Sequence, residues 1–182
     1  MPRRDLIAAF AISLVAAGAA VTGIGWDWAL PAYVVFAVVT GPLAVIDLRQ
    51  HRLPNVFTLP AIPIIFTLLA LAALADSDLE RLARAALGAI VLFSIFALLH
   101  LVNASGLGLG DVKLSGSMGL LLGWLSWTAV LWGTAAGFFA AAVVALGLLA
   151  ARRATMKSAL PFGPFMLLGA WLVILASALP SP

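Results

Sequence analysis

The sequence predicts an all-α, polytopic helical membrane protein of about seven transmembrane helices, and three observations carry that prediction. First, 64% of the 182 residues are hydrophobic and only 9% are charged, whereas a soluble domain of this size needs roughly a quarter of its residues charged. Such a chain cannot cover a water-facing surface, so lipid is its solvent. Second, backbone groups in lipid must be satisfied internally, which leaves helices or closed barrels. Stretches such as 85–102 and 128–151 lack the polar/apolar alternation of a barrel strand. Third, the short connectors alternate between basic and acidic character along the chain.

About 20 apolar residues cross a bilayer, and seven runs of that order are read at 6–24, 30–47, 56–75, 85–102, 111–125, 128–151 and 162–179. The first follows Met1-Pro2-Arg3-Arg4-Asp5, a start that also resembles a signal peptide or twin-arginine signal. Its length is that of a full crossing, so a retained span is the reading adopted. The second ends at Asp47. Pro54 then stops the loop, and Asn55 is placed to cap the third span. An acidic turn with Asp76, Asp78 and Glu80 around Arg81 and Arg84 leads to the fourth. His100, near the inner end of that span, reads as a hydrogen-bonded structural residue, and His51 as a solvated loop residue. The fifth run is short unless it begins inside the glycine loop before Asp111. Gly133 and Gly137 on the sixth, with Gly116, Gly119 and Gly123 on its neighbour, predict close helix packing. The seventh opens on Pro161-Phe162-Gly163-Pro164. With no long linker and no convincing repeat, residues 1–182 are expected to form one membrane-embedded domain.

Orientation follows from charge. Arg3, Arg4, Arg49, Arg52, Lys113, Arg152, Arg153 and Lys157 fall on the amino-terminal side, against Arg81 and Arg84 on the other. The positive-inside rule therefore puts the amino terminus in the cytoplasm and the carboxyl terminus outside. Trp26, Trp28, Trp124 and Trp127 read as an aromatic belt at the external interface. The absence of cysteine excludes disulfides and thiolate nucleophiles. The net charge of +3 is dispersed over loops rather than massed on one face, which argues against nucleic acid.

Of the seven acidic residues, Asp5, Asp27, Asp76, Asp78 and Glu80 read as solvated flanking groups. Asp47 and Asp111 remain, both at the cytoplasmic rim. Asp47 closes the second span, where the helix dipole disfavours a carboxylate. Taken alone, it reads as an interfacial Asp neutralised by Arg49 or Arg52. Asp111 follows Gly108-Leu109-Gly110, where glycines permit positive φ and close approach of another backbone. Taken alone, it reads as a helix cap. Together the two fit peptide hydrolysis, which needs one carboxylate to activate water and a second to protonate the carbonyl or leaving amine. Two such groups about 3 Å apart share a single proton. The Pro161–Pro164 stretch cannot form regular helix. It reads either as a broken helix start or as a loop beside the aspartates offering main-chain hydrogen bonds to an extended substrate. No third ligand accompanies the acids, so no metal and no cofactor are expected.

Three segments, Asp47-Leu48-Arg49-Gln50-His51-Arg52-Leu53-Pro54-Asn55, Gly108-Leu109-Gly110-Asp111-Val112-Lys113-Leu114 and Pro161-Phe162-Gly163-Pro164, resemble the ordered motifs of type IV prepilin peptidases, the membrane Gly-x-Gly-Asp aspartyl proteases. The resemblance runs from about Gly41 to the carboxyl terminus. It implies that Asp47 and Asp111 are the catalytic pair. It also implies substrate-binding or supporting roles for Arg49, Arg52, Pro54, Asn55, Gly108, Gly110, Lys113, Pro161, Phe162, Gly163 and Pro164. The implied partners are prepilin or pseudopilin precursors, each with a basic leader cut on the cytoplasmic side of a prokaryotic cell membrane, just before an apolar helix. Larger family members carry a cytoplasmic domain with CxxC motifs associated with N-methylation. This chain has no Cys, so it looks like a short form, of the kind serving tight-adherence pili or archaeal-type preflagellins, and methyltransferase activity is not expected. Two readings from other classes stand beside this one: a small proton-coupled transporter with the acids as its relay, and a non-enzymatic pilus or secretion assembly subunit in which they only cap helices.

Overall fold

In a computed structural model, residues 2–103, 106–153 and 160–179 are described. They form α1 (Arg3–Ile24), α2 (Leu30–Gln50), α3 (Asn55–Asp76), α4 (Leu79–Val102), α5 (Leu109–Leu125), α6 (Trp127–Ala150) and α7 (Gly163–Ala176), with no strand among them. Five of the seven, α1 to α4 and α6, are long and apolar enough to cross a bilayer. The outer surface carries large apolar side chains, among them Phe10, Val15, Ile90, Leu98, Phe139 and Leu146, as lipid-facing helices require. The chain is a polytopic helical membrane protein.

α5 is the axis of the bundle. Thirteen of its 17 residues are buried, and it touches α2, α3, α4, α6 and α7. At 17 residues it is about 25 Å long, less than the roughly 30 Å of a hydrocarbon core; protein rather than lipid surrounds it. Small residues allow that crowding. A Cβ on Gly119 would lie 2.5 Å from the Ala89 Cα, and one on Gly123 2.9 Å from the Arg84 carbonyl oxygen, so α4 and α5 meet backbone to backbone. On α6, a Cβ at Gly137 would meet Phe165 and Met166 of α7. Of the glycines expected to pack closely, Gly119 and Gly123 do so against α4, Gly133 against Leu122 of α5 and Gly137 against α7, whereas a Cβ on Gly116 would make only an ordinary contact, 3.4 Å from Ile62 Cδ1.

Pro42 inside α2 removes one helical donor, which leaves the Val38 carbonyl without its usual partner. Ser13 of α1 supplies the replacement: its hydroxyl donates to that carbonyl at 3.0 Å and accepts from the Gly41 N–H at 3.2 Å. A polar clasp thus holds α1 against α2 near the middle of their seam.

At the end away from Asp47 and Asp111, α4 begins at Leu79 rather than at residue 85. The Asp78 side chain accepts from Arg81 N at 2.9 Å and starts the helix early. Arg84 is therefore helical and donates to the carbonyls of Gly123, Trp124 and Leu125 at 2.8, 2.8 and 3.4 Å. Arg81 donates to Trp124, pairs with Asp27 at 3.6 Å and lies 4.8 Å above the Trp124 ring. Trp124 is fully buried beneath it, which corrects its assignment to an aromatic belt. Trp26, Trp28 and Trp127 are exposed there. Asp27 is likewise partnered, not free.

Candidate active site

Both singled-out aspartates sit at one end of the bundle, on helix termini turned toward each other. Asp47 lies in the last turn of α2. His51 ends that helix in a left-handed conformation (φ 51°), and the turn it makes sends Leu53 and Pro54 back across the end of α2 before α3 starts. Asp111 lies in the first turn of α5. Asp47 is 4% exposed and Asp111 7%, so neither is a solvated rim group.

One oxygen of each carboxylate is held by main chain. Asp47 Oδ2 accepts from the Gly163 N–H at 3.0 Å, and Asp111 Oδ2 accepts from the Gly108 N–H at 3.0 Å. Asp111 is thus the third residue of α5 reaching back to the residue that precedes the helix, not the cap itself. Its second oxygen, Oδ1, is buried and has no hydrogen-bond partner among the described residues. Unengaged buried carboxylate atoms are rare, because desolvation goes uncompensated. Both aspartates line one cavity of about 660 Å³, with His51, Arg52, Asn55 and Lys113 also on its wall.

Leu53 sets the spacing. A Cβ on Gly110 would stand 2.6 Å from the Leu53 Cβ, and a Cβ on Gly163 would stand 2.8 Å from Asp47 Oδ2 and 3.2 Å from Leu53 Cδ2. Glycine is needed at these two positions for close approach, one beside each acid. Of the two freedoms glycine permits in this loop, close approach is used at Gly110 and positive φ is not used at Gly108, which is extended at φ −75°, ψ 152°. Leu53 had no assigned role in the sequence, since nothing local to it signals contact with residues 110 and 163.

The remaining site residues divide. Arg52, Asn55, Gly108, Gly110 and Lys113 line the cavity, as does Pro54. Asn55 is the first helical residue of α3 rather than its cap; its side-chain oxygen accepts from Lys113 Nζ at 2.8 Å, tying α3 to α5. Arg49 does not neutralise Asp47. It pairs with Asp5 at 2.9 Å, and Asp5 is buried, so the reading of Asp5 as a solvated residue is corrected as well. Gly163 meets Asp47, whereas Phe162 packs on Phe96 and Phe138 beneath the site. The main-chain donor of this stretch serves Asp47 itself; Pro161 and Pro164 do not line the cavity. Lys157 and Ser158, read as part of the same loop, lie outside the described residues. His51 is exposed on the cavity rim, and His100 Nδ1 lies 2.6 Å from the Leu107 carbonyl, where it props the glycine loop.

The fold and site together define a polytopic helical membrane protein that buries two carboxylates on one cavity at one end of its bundle. Comparison with known proteins narrows it. Residues 34–151, which include both aspartates, match the type IV leader peptidase family, and the chain belongs to that family. It is 34% identical over 147 residues to leader peptidase HopD of Escherichia coli, covering 77% of this chain and 89% of that protein. It is 30% identical over 152 residues to the prepilin leader peptidase/N-methyltransferase of Aeromonas hydrophila, and 28% over 154 residues to that of Pseudomonas aeruginosa. These matches cover 81% and 83% of this chain, but the chain spans only about half the length of those two relatives. No solved structure matches it.

Proposed function

We propose that the chain is an aspartyl endopeptidase that removes the basic leader from prepilin-type precursors, with Asp47 and Asp111 as the catalytic pair. The observation that carries the reading is the arrangement of the acids. Two buried carboxylates face one cavity, each anchored through a single oxygen to a backbone N–H, and the Asp111 Oδ1 has no partner among the described residues.

Such a pair holds one proton between its members. The ionised carboxylate takes a proton from water as the water oxygen bonds to the scissile carbonyl carbon. The protonated one gives its proton to the carbonyl oxygen. In the diol that results, the first acid delivers its proton to the amide nitrogen. The second recovers a proton from a diol hydroxyl, the C–N bond breaks, and the pair returns to its starting state. The two N–H anchors keep both carboxylates oriented through these exchanges.

The basic residues clustered at the site's end support a cytoplasmic active site, with the amino terminus inside and the carboxyl terminus outside. A basic leader suits that leaflet. A proton relay is less well served, since both acids sit at helix ends rather than near mid-membrane.

Asp47→Asn and Asp111→Asn are each expected to abolish cleavage of a co-expressed precursor, read as a gel shift, while membrane insertion stays normal. Retained cleavage in Asp111→Asn removes the proposal. Because the chain has no cysteine, single cysteines at Arg4 and Leu179 report orientation. A membrane-impermeant thiol reagent added from outside is expected to label residue 179 and not residue 4.

A further inference from the structure

Beside the cavity, on the lipid-facing side of the bundle, runs a separate groove of about 450 Å³ between α1, α2 and α7. Ala16 and Ala44 form its floor, and Leu48, Pro164, Leu168 and Leu175 its sides. The groove and the cavity share no lining residue, but they adjoin along the chain on either side of the Asp47–Gly163 hydrogen bond. Asp47 faces the cavity while Leu48, the next residue, faces the groove; Gly163 holds Asp47 while Pro164, the next residue, faces the groove. From that junction the groove follows α7 from Pro164 to Leu175, about 16 Å or three helical turns. Its wall is almost wholly apolar, and its polar member, Thr40, is already engaged with Trp171 Nε1 at 2.9 Å.

Resting on the peptidase reading, we propose that this groove seats the apolar helix of the precursor, so that the bond to be cut is delivered to the aspartates by the helix that follows it. The argument is continuity and chemistry. The groove starts at Leu48 and Pro164, each the next residue after a partner of the Asp47–Gly163 hydrogen bond, and it offers an apolar trough of helical length to a precursor whose apolar segment, on the peptidase reading, begins next to the cut. Small residues on the floor let a helix approach closely, the way helices associate in lipid, where packing rather than water exclusion drives contact. The opposite face, on α4, presents bulky exposed Leu87 and Ile90 and does not lead to the acids.

Cross-linking tests this in the full-length protein carrying Asp111→Asn, so that precursor stays uncut. Single cysteines replace Leu168 or Leu172 in the groove, or Leu87 or Ile90 on α4, and each is paired with a cysteine in the first turns of the precursor's apolar helix. Disulfide-linked enzyme–precursor product is expected at 168 and 172 and not at 87 and 90. Equal product at both faces, or product at 87 and 90 alone, overturns the groove as the seat; so does no product at any of the four, which leaves the groove to lipid. A second variant, Leu172→Trp in the otherwise native chain, fills the trough from its exposed edge and is expected to lower kcat/KM for the precursor about ten-fold. Unchanged kcat/KM counts against the groove. Failure of the peptidase reading looks different: Asp111→Asn still cuts the precursor.

Discussion

The two ends of α5 are built from the same materials and finished in opposite ways. At its carboxyl end, three terminal carbonyls that a helix leaves unpaired are met by Arg84, with Arg81 and Asp27 closing the network. At its amino end, the acid keeps one buried oxygen without a partner among the described residues. The first end is finished as structure. The second is left with unspent bonding capacity inside a cavity, and such incomplete satisfaction is expected where a protein does chemistry. One short helix thus separates a satisfied terminus from an unsatisfied one.

The contrast can be broken at either end. The largest effect is expected from Asp47→Asn or Asp111→Asn. Each removes an acid–base partner and should cut the rate of precursor cleavage by at least about 10³-fold, with helix content by circular dichroism unchanged. Gly163→Ala comes next. Its Cβ cannot stay 2.8 Å from Asp47 Oδ2, so the carboxylate or α7 must shift, and a displacement of this kind costs about 10²-fold in kcat. Gly110→Ala presses on the Leu53 Cβ in the same way, and pairing it with Leu53→Gly, which removes that Cβ, should recover part of the lost rate in a double-mutant comparison. Arg84→Ala attacks the other end. It strips a charged donor from three carbonyls and should lower unfolding stability in detergent by about 2 kcal/mol, with cleavage retained at permissive temperature. The smallest effect belongs to Asp5→Asn, which releases a largely exposed Arg49 and should cost no more than about 1 kcal/mol. A large loss of activity in Arg84→Ala, without loss of fold, would show that the two ends are not separate in function.

What the sequence made legible was what local pattern encodes. Apolar run length located the helices, and the glycine- and proline-marked segments located both aspartates on one face. Pairings between distant residues left no such mark. Asp5 was read as solvated because Arg49 is 44 positions away. Arg81 and Arg84 looked like a charged turn because their acceptors lie on another helix. Trp124 stands at a span's end, where an interfacial tryptophan is the ordinary reading, and only the encirclement of α5 buries it. Leu53 is an ordinary apolar residue in a loop; its meaning is carried by the glycines at 110 and 163, which are informative only once the three are brought together.

The hydrogen bond between Gly163 and Asp47 joins residues 116 positions apart, which bears on how the molecule comes into being. Helices emerge from the ribosome in order, so α2 enters the bilayer long before α7 is synthesised. During that interval Asp47 has no N–H from Gly163 to orient it. On the proposed reading, a nascent chain therefore has no oriented acid pair until its final helix docks.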